Sequence, residues 1–199
     1  MIYEVRKIAD ISLLEQCPAF QMDCFQWHSI YHPKSLGRAG YVENKGFAVE
    51  LSCEEIHPKT KYTQNFQPVY KDSALEAFFQ FDIHAPEYFN FEFNSSGACI
   101  AAFGATRNLR KNLTKEQLLT LNIQSKITPL GWQITFFIPE SLIQEYQPGD
   151  SWRHNRRFRC NFYKLSEAPD IEHYASYAPV ASPKPNFHDI HSFADALLL

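Results

Sequence analysis

The sequence predicts an all-β sandwich in which two antiparallel sheets are accompanied by one or two short helices. Many short apolar or alternating runs are separated by turn signals, and few segments have a helical pattern. The 199 residues include 17 Phe and 10 Tyr but only 7 Gly, which favours a packed core over disorder. Sandwiches of about 200 residues commonly form one domain. We therefore expect residues 1–199 to fold as a single domain.

Strand-like runs are distributed along most of the chain. The clearest is 88–94, because its side chains alternate with a period of two. Its phenylalanines should face the core, whereas Asn90, Glu92 and Asn94 should form an opposite, polar face. A turn and a second run follow at once, which predicts a hairpin. The predicted strands are 47–53, 73–81, 88–94, 98–103, 131–138 and 158–165.

Two segments have helical signals, and the C-terminal region has neither pattern. Residues 113–122 include Thr114, a suitable N-cap for a short helix. Residues 139–143 follow a predicted strand and open a second helical turn. The segment 179–187 contains three prolines, so it should be extended and irregular.

Charge and cysteine content narrow the range of partners and compartments. A net charge of −3 and a pI near 6.2 provide no basic surface for nucleic acid. No window approaches the roughly 20 apolar residues of a membrane-spanning helix. The N-terminus lacks the pattern of a secretory leader, and the five cysteines are scattered, as reduced thiols are. The chain as given is therefore expected in the cytoplasm, or outside the cell if a signal peptide has been removed.

Three segments, in their order and spacing, resemble stand-alone members of the family 9 carbohydrate-binding modules. The resemblance extends over residues 19–195. The matching stretches are PVYKDSALEAFF at 68–79; YFNFEFN at 88–94 with Gly97 and GATR at 104–107; and GDSWR at 149–153, NFYK at 161–164, HYASYAP at 173–179 and PKPNFH at 183–188.

The resemblance implies an immunoglobulin-like β-sandwich, often grouped with DOMON-like folds, that binds a mono- or oligosaccharide and catalyses no reaction. Characterised members that are attached to xylanases hold the end of a glycan chain between two tryptophans. Tyr70 and Tyr177 stand at the corresponding positions of this sequence. We therefore expect these two tyrosines to form opposite walls of one sugar-binding slot.

A pyranose has apolar C–H faces and a rim of hydroxyls, so aromatic rings cover its faces and planar polar groups bind its rim. Some candidates also have structural roles open to them: Asp72 can cap a turn, and Tyr177 can pack at the core edge. Glu76 is interpreted as a buried structural carboxylate, and all three tryptophans as core residues. The predicted carbohydrate-binding residues are Tyr70, Asp72, Asn90, Glu92, Arg107 and Tyr177.

Two other functions stay open. A glycoside hydrolase needs two carboxylates roughly 5–10 Å apart, but Asp72 and Glu76 in one strand would lie roughly 13 Å apart. The sequence contains no GxSxG, HExxH or phosphate-binding loop, so no catalytic residue is assigned. A haem or redox DOMON-like domain needs axial ligands, and Met22 is the only internal methionine.

No cofactor is predicted from the residues themselves. Family 9 modules can hold structural calcium, which takes several oxygen ligands. The sequence has no dense acidic cluster that would place such an ion, so the metal content is left unknown. The identity of the sugar and the oligomeric state are also left open.

Overall fold

The computed structural model describes residues 2–149, 152 and 154–199. Three residues of the third family-like segment, Asp150, Ser151 and Arg153, lie outside the described residues. Within the described part there are fourteen strands, two α-helices and three 3₁₀ turns. None of the described helices is long and apolar enough to cross a membrane.

The elements have the following bounds. The strands are β1 (Ile2–Ile8), β2 (Ala19–Gln21), β3 (Cys24–Phe25), β4 (Ser35–Val42), β5 (Gly46–Cys53), β6 (Ala74–Gln80), β7 (Tyr88–Asn94), β8 (Cys99–Gly104), β9 (Lys111–Asn112), β10 (Gln124–Thr128), β11 (Gly131–Pro139), β12 (Arg157–Ser166), β13 (His173–Ser176) and β14 (Ala194–Leu198). The helices are α1 (Lys115–Thr120) and α2 (Glu140–Tyr146), and the 3₁₀ turns cover Ile11–Gln16, Val69–Lys71 and Ile190–Ser192.

The strands form two layers that are continuous along one edge. One layer has the order β10-β11-β5-β4, and the other has the order β14-β12-β6-β7-β8-β9. Strand β1 joins them, since Ile2–Val5 pair with β14 and Arg6–Ile8 pair with β4, both in parallel. The predicted all-β sandwich with one or two short helices is confirmed. It differs from two separate antiparallel sheets because β1 changes partner and makes one curled, mixed sheet.

The main core lies between the two layers. The phenylalanines of β7 face this core, as the alternation predicted. Phe91 and Phe93 pack on Phe136 of β11, with ring centroids 5.4 Å and 4.7 Å apart. The opposite face of β7 is polar, as predicted, but it is not in contact with solvent. Asn90 and Glu92 are 0% and 2% exposed.

That polar face is covered by the C-terminal segment that follows β13. Phe187 stacks on Tyr163 of β12 at 4.0 Å, and the Tyr163 hydroxyl donates to the Phe187 carbonyl. A second apolar cluster, which includes Phe78, Tyr88 and Phe193, forms between this segment and the outer face of β6, β7 and β12. The three prolines keep the segment extended, as predicted, but it is a packed third layer.

A buried ionic network fastens the layers together at one end. The Lys164 ammonium on β12 lies 2.9 Å from Ser73 Oγ, 2.7 Å from His173 Nε2 and 3.6 Å from the Glu55 carboxylate. Trp132 of β11 and the Ser73 hydroxyl both donate to Glu55. Burial lowers the pKa of His173 to about 3, so its neutral ring accepts a hydrogen bond from the ammonium.

Removal of the Lys164 charge should destabilise the fold strongly, because Glu55 would be left buried without its cation. We expect Lys164→Met to lower the free energy of unfolding by about 3–5 kcal/mol, measured by urea denaturation. The matched control is Lys59→Met, which breaks an exposed ion pair with Asp170 and should cost less than about 1 kcal/mol. Similar losses in both variants would contradict the structural role of Lys164.

Candidate functional site

A pocket lies between the outer face of the second layer and the C-terminal segment. Water-sized molecules can occupy about 50 Å³ of it, within a space of about 440 Å³ that includes its solvent-open mouth. Its lining combines aromatic, carboxyl and guanidinium groups: Tyr70, Glu76, Glu92, Arg107, Arg110, Leu165, Glu167, Tyr174, Pro185, Asn186, Phe187 and His188.

Two carboxyl groups form the floor of this pocket. Glu76 of β6 and Glu92 of β7 are directly paired in the register of the two strands. Directly opposed side chains on one sheet face have Cβ atoms about 5 Å apart, so the two carboxyls are neighbours. They are 3% and 2% exposed.

Glu92 is the carboxyl that is paired with a positive charge of the chain. Arg110 Nη1 lies 3.1 Å from its Oε1, and Asn90 Nδ2 donates to the same oxygen at 2.9 Å. Arg110 reaches this position because Gly104 of β8 lets the returning backbone approach closely. A Cβ on Gly104 would lie 2.4 Å from the Arg110 Cα. Glycine is required here by contact, since any side chain would displace the loop.

Glu76 is the carboxyl whose protonated form the pocket favours. Burial, and then the nearby Glu92 charge, raise the pKa of Glu76 well above its usual value. Burial also raises the pKa of Glu92, but Arg110 and Asn90 act in the opposite direction. Glu76 accepts no hydrogen bond from the described residues, so its acid group is available to a ligand. A neutral acid provides one donor and at least one acceptor.

His188 provides an uncharged nitrogen beside the floor. Burial and the guanidinium groups of Arg110 and Arg107 lower the pKa of His188 to about 2. The Tyr88 hydroxyl lies 2.8 Å from His188 Nδ1, and Arg110 Nη1 lies 3.4 Å from it. Both neighbours are donors, so Nδ1 is the acceptor and the proton is on Nε2.

Tyrosine rings and exposed charges surround the mouth. Tyr70 is partly buried on the 3₁₀ turn before β6, where its carbonyl accepts from Glu167 N at 3.3 Å. Tyr174 of β13 is 7% exposed, and its hydroxyl donates to Glu172 at 2.9 Å. Arg107 is exposed, and Glu167 has a raised pKa through partial burial.

Three of the six predicted residues line this pocket: Tyr70, Glu92 and Arg107. Asn90 lies beneath it and contacts Glu92, so its role is to hold that carboxylate. Asn90 Oδ1 has no hydrogen-bond partner among the described residues. The remaining two, Asp72 and Tyr177, are not part of this lining.

Asp72 is a structural residue in this fold. It is 1% exposed, and its Oδ2 accepts from the backbone N–H groups of Lys61 and Tyr62 and from Asn94 Nδ2, all at 2.9 Å. Its carboxylate therefore anchors the 61–62 loop, in keeping with the capping role that the sequence left open. It does not line the pocket.

Tyr177 does not form the second wall. Its ring packs at the edge of the main core, 5.8 Å from Tyr3 and 5.3 Å from Phe20. Tyr174 lines the pocket instead. Tyr174 lies within β13 and Tyr177 lies just beyond its end, and the two rings pack in different clusters.

Sequence reasoning did not propose nine of the twelve lining residues, among them Glu76, Arg110, Tyr174 and His188. Glu76 was interpreted as structural, although its alternation with Leu75 and Ala77 placed it on the same face as the later ligand candidates. The other three had no comparable signal, because their positions depend on the β8–β9 loop and on the C-terminal cover.

The candidate ligands for a metal ion or a haem are dispersed among the described residues. No group of three or more His, Cys, Asp or Glu side chains in this part of the chain could hold a metal ion. Glu55 and Glu92 are engaged by protein donors, whereas Asp72 accepts three hydrogen bonds at Oδ2 and none from the described residues at Oδ1. Met22 is 1% exposed within the main core and is not available as a haem ligand.

The comparison of sequences decides the family. The profile of carbohydrate-binding family 9 matches residues 8–198. The chain belongs to carbohydrate-binding family 9. The resemblance drawn from the motifs is therefore confirmed, and this family 9 domain is a carbohydrate-binding domain. No curated protein matches the chain in sequence.

Solved structures share the fold of this family 9 domain. A "putative carbohydrate-binding protein" from Bacteroides uniformis has a TM-score of 0.87 and 20% identity, with 98% of each chain covered. A family 9 module of Caldicellulosiruptor kristjanssonii is similar in its complexes with glucose (TM-score 0.68, 9% identity) and cellotriose (0.70, 8%). These alignments cover 100% of this chain and 96% and 93% of the other two.

The proton on Glu76 makes stability depend on pH. The folded protein holds this proton, whereas the unfolded chain releases it above pH 4.5. This contribution is complete below pH 4.5 and is lost as the pH rises toward the raised pKa of Glu76. Glu76→Gln removes the titration, so the stability of the variant relative to wild type should increase as the pH rises from 4.5 toward the raised pKa of Glu76, by up to about 1.4 kcal/mol per unit.

Urea denaturation of both proteins at several pH values measures this difference. Glu4→Gln, at an exposed position on β1, is the matched control and should show a constant difference from wild type. A pH-independent difference for Glu76→Gln would show that Glu76 is ionised in the folded protein.

Proposed function

We propose that this domain binds a sugar ring at the mouth of the pocket, between Tyr70 and Tyr174, without catalysing a reaction. The observation that carries the proposal is the convergence of two tyrosines, two arginines and a buried acid pair in a family 9 fold. Tyrosines cover the apolar faces of a pyranose, and the polar groups bind its hydroxyls.

The polar groups offer a fixed set of donors and acceptors. The Glu76 acid both donates and accepts, and Glu92 accepts beside it. Arg110 is held in place by Glu92 and by the Arg107 carbonyl, so its remaining N–H groups point in fixed directions. Arg107 is exposed at the mouth and closes on the bound sugar. A pre-organised set of this kind selects ligands, because an analogue without the matching hydroxyl leaves buried polar groups unpaired.

A neutral sugar suits the electrostatics of this site. Arg110 is paired with Glu92, and Arg107 acts on Glu167 against the effect of its burial. The charged groups of the pocket therefore have partners of opposite sign within the chain, and a charged ligand would disturb that pairing. The glucose and cellotriose complexes of the similar Caldicellulosiruptor module make these two sugars the first probes.

The carboxyl pair does not suit glycoside hydrolysis. A hydrolase places its two carboxylates on either side of the scissile bond, about 5–10 Å apart. Glu76 and Glu92 are adjacent on one sheet face, both on the floor, so a sugar above them has neither carboxyl on its far side. In this proposal Glu76 and Glu92 bind the hydroxyls of the sugar.

The aromatic wall should provide much of the affinity. We expect Tyr70→Ala to weaken sugar binding by about tenfold, since loss of one aromatic contact removes roughly 1–1.5 kcal/mol. Isothermal titration calorimetry with glucose, cellotriose and a wider glycan panel measures the effect. Tyr62→Ala, at another partly buried tyrosine that does not line the pocket, is the matched control. Equal affinity in Tyr70→Ala and Tyr62→Ala would place the site elsewhere.

The absence of catalysis is tested on chromogenic glycosides. Wild type and Glu92→Gln should release chromophore at the same background rate, because neither carboxyl is positioned across a glycosidic bond. Turnover by wild type that disappears in Glu92→Gln would favour a glycoside hydrolase instead.

A further inference from the structure

A second pocket adjoins the first one and shares two of its walls. It is lined by Trp27, His28, Glu172, Tyr174, Pro183, Lys184 and Pro185. Tyr174 and Pro185 also line the first pocket. Water-sized molecules can occupy about 390 Å³ here, a volume within the range of small-molecule sites and larger than the narrow floor next to it.

Trp27 is the residue that distinguishes this second pocket. The sequence predicted all three tryptophans in the core, which holds for Trp132 and Trp152, at 1% and 4% exposed. Trp27 is only partly buried and has a φ of 55°. A bulky residue in the left-handed region is a backbone outlier, and such strain persists only where surrounding contacts impose it.

Specific contacts impose the left-handed conformation of Trp27 and hold its indole in one orientation. Gln26 forms two hydrogen bonds with Val180 of the C-terminal segment. Its amide nitrogen donates to the Val180 carbonyl, and its amide oxygen accepts from the Val180 N–H. The indole Nε1 donates to the Ser182 carbonyl at 2.9 Å. Its ring meets Tyr174 edge-on, with centroids 5.4 Å apart. The aromatic surface is therefore rigid before any ligand arrives.

We propose that the Trp27 pocket is a second subsite, which takes the sugar unit next to the one bound in the first pocket. The inference rests on the proposed function of that first pocket. Tyr174 separates the two spaces, with its ring in both linings and its hydroxyl fixed by Glu172. A linear oligosaccharide passes over this ring from one pocket to the other, so the ligand class is a glycan of at least two units.

The composition of the subsite fits a second sugar unit. The indole and the two exposed prolines offer apolar surface to a pyranose face. Lys184, His28 and Glu172 are polar groups at its edge for the hydroxyls. A rigid aromatic ring binds at low entropic cost, which makes the added contact favourable.

Calorimetry with glucose and cellotriose tests the subsite. In wild type, cellotriose should bind about tenfold more tightly than glucose, since it alone reaches the indole. In Trp27→Ala the two affinities should become equal to within about twofold, while glucose affinity stays within about twofold of wild type. The matched control is His57→Ala, at an exposed position that lines neither pocket, and it should retain the preference for cellotriose.

Acrylamide quenching gives a second readout that does not depend on affinity alone. Trp27 is the only partly exposed tryptophan, so it should account for most of the quenchable emission. Cellotriose should protect this emission and glucose should not. Trp27→Phe should remove the quenchable component.

The outcomes separate the two proposals. Equal binding of glucose and cellotriose by wild type, without protection of Trp27, would overturn the subsite and leave the first site standing. Equal losses of both affinities in Trp27→Ala would show that Trp27 only supports the first pocket, and would also overturn the subsite. If neither sugar binds wild type, the proposed function fails for glucose-type ligands and the subsite fails with it.

Discussion

The burial of a polar strand face beneath the C-terminal segment is the constraint on which the rest of this molecule depends. Strands β6 and β7 present Glu76, Asn90 and Glu92 away from the main core, on a face that an ordinary sandwich would leave in water. The segment that carries Phe187 covers this face and removes the water around the two acids. In a drier environment two adjacent carboxyls cannot both ionise readily, so their protonation becomes part of the structure.

The same constraint explains why the three acidic groups near the start of β6 have different roles. Asp72 receives two backbone N–H donors at Oδ2, whereas its Oδ1 has no hydrogen-bond partner among the described residues. Glu92 is matched by Arg110, whereas Glu76 has no partner among the described residues. A fold selected only for stability would have little reason to keep an unpaired acid at such a position, because its burial is costly. The binding site is therefore indicated by which acid lacks a hydrogen-bond or ion-pair partner, rather than by the number of acids.

The strands with strong alternation were predictable from local sequence patterns. The family was predictable from the order and spacing of its motifs. The alternation of 88–94 placed its phenylalanines in the main core, because a period of two fixes the face of each side chain. The fate of the opposite face was not predictable, since the covering segment has no regular pattern of its own. Tyr177 was predicted as a wall because it stands at the position of a family tryptophan, whereas the structure places Tyr174 in the pocket lining. Trp27 was assigned to the core because apolar residue type alone cannot reveal a strained loop.

Strand β1 has a consequence for the way in which the chain acquires its structure. It pairs with β14 in parallel, so a ladder near the beginning of the chain is completed by residues near its end. Contacts of such large sequence separation slow folding, because the entropy of closing the loop is lost before the ladder is gained. Until β14 is available, Ile2–Val5 of β1 and Arg157–Cys160 of β12 lack their partner strand, and an unpaired strand edge invites association with another chain.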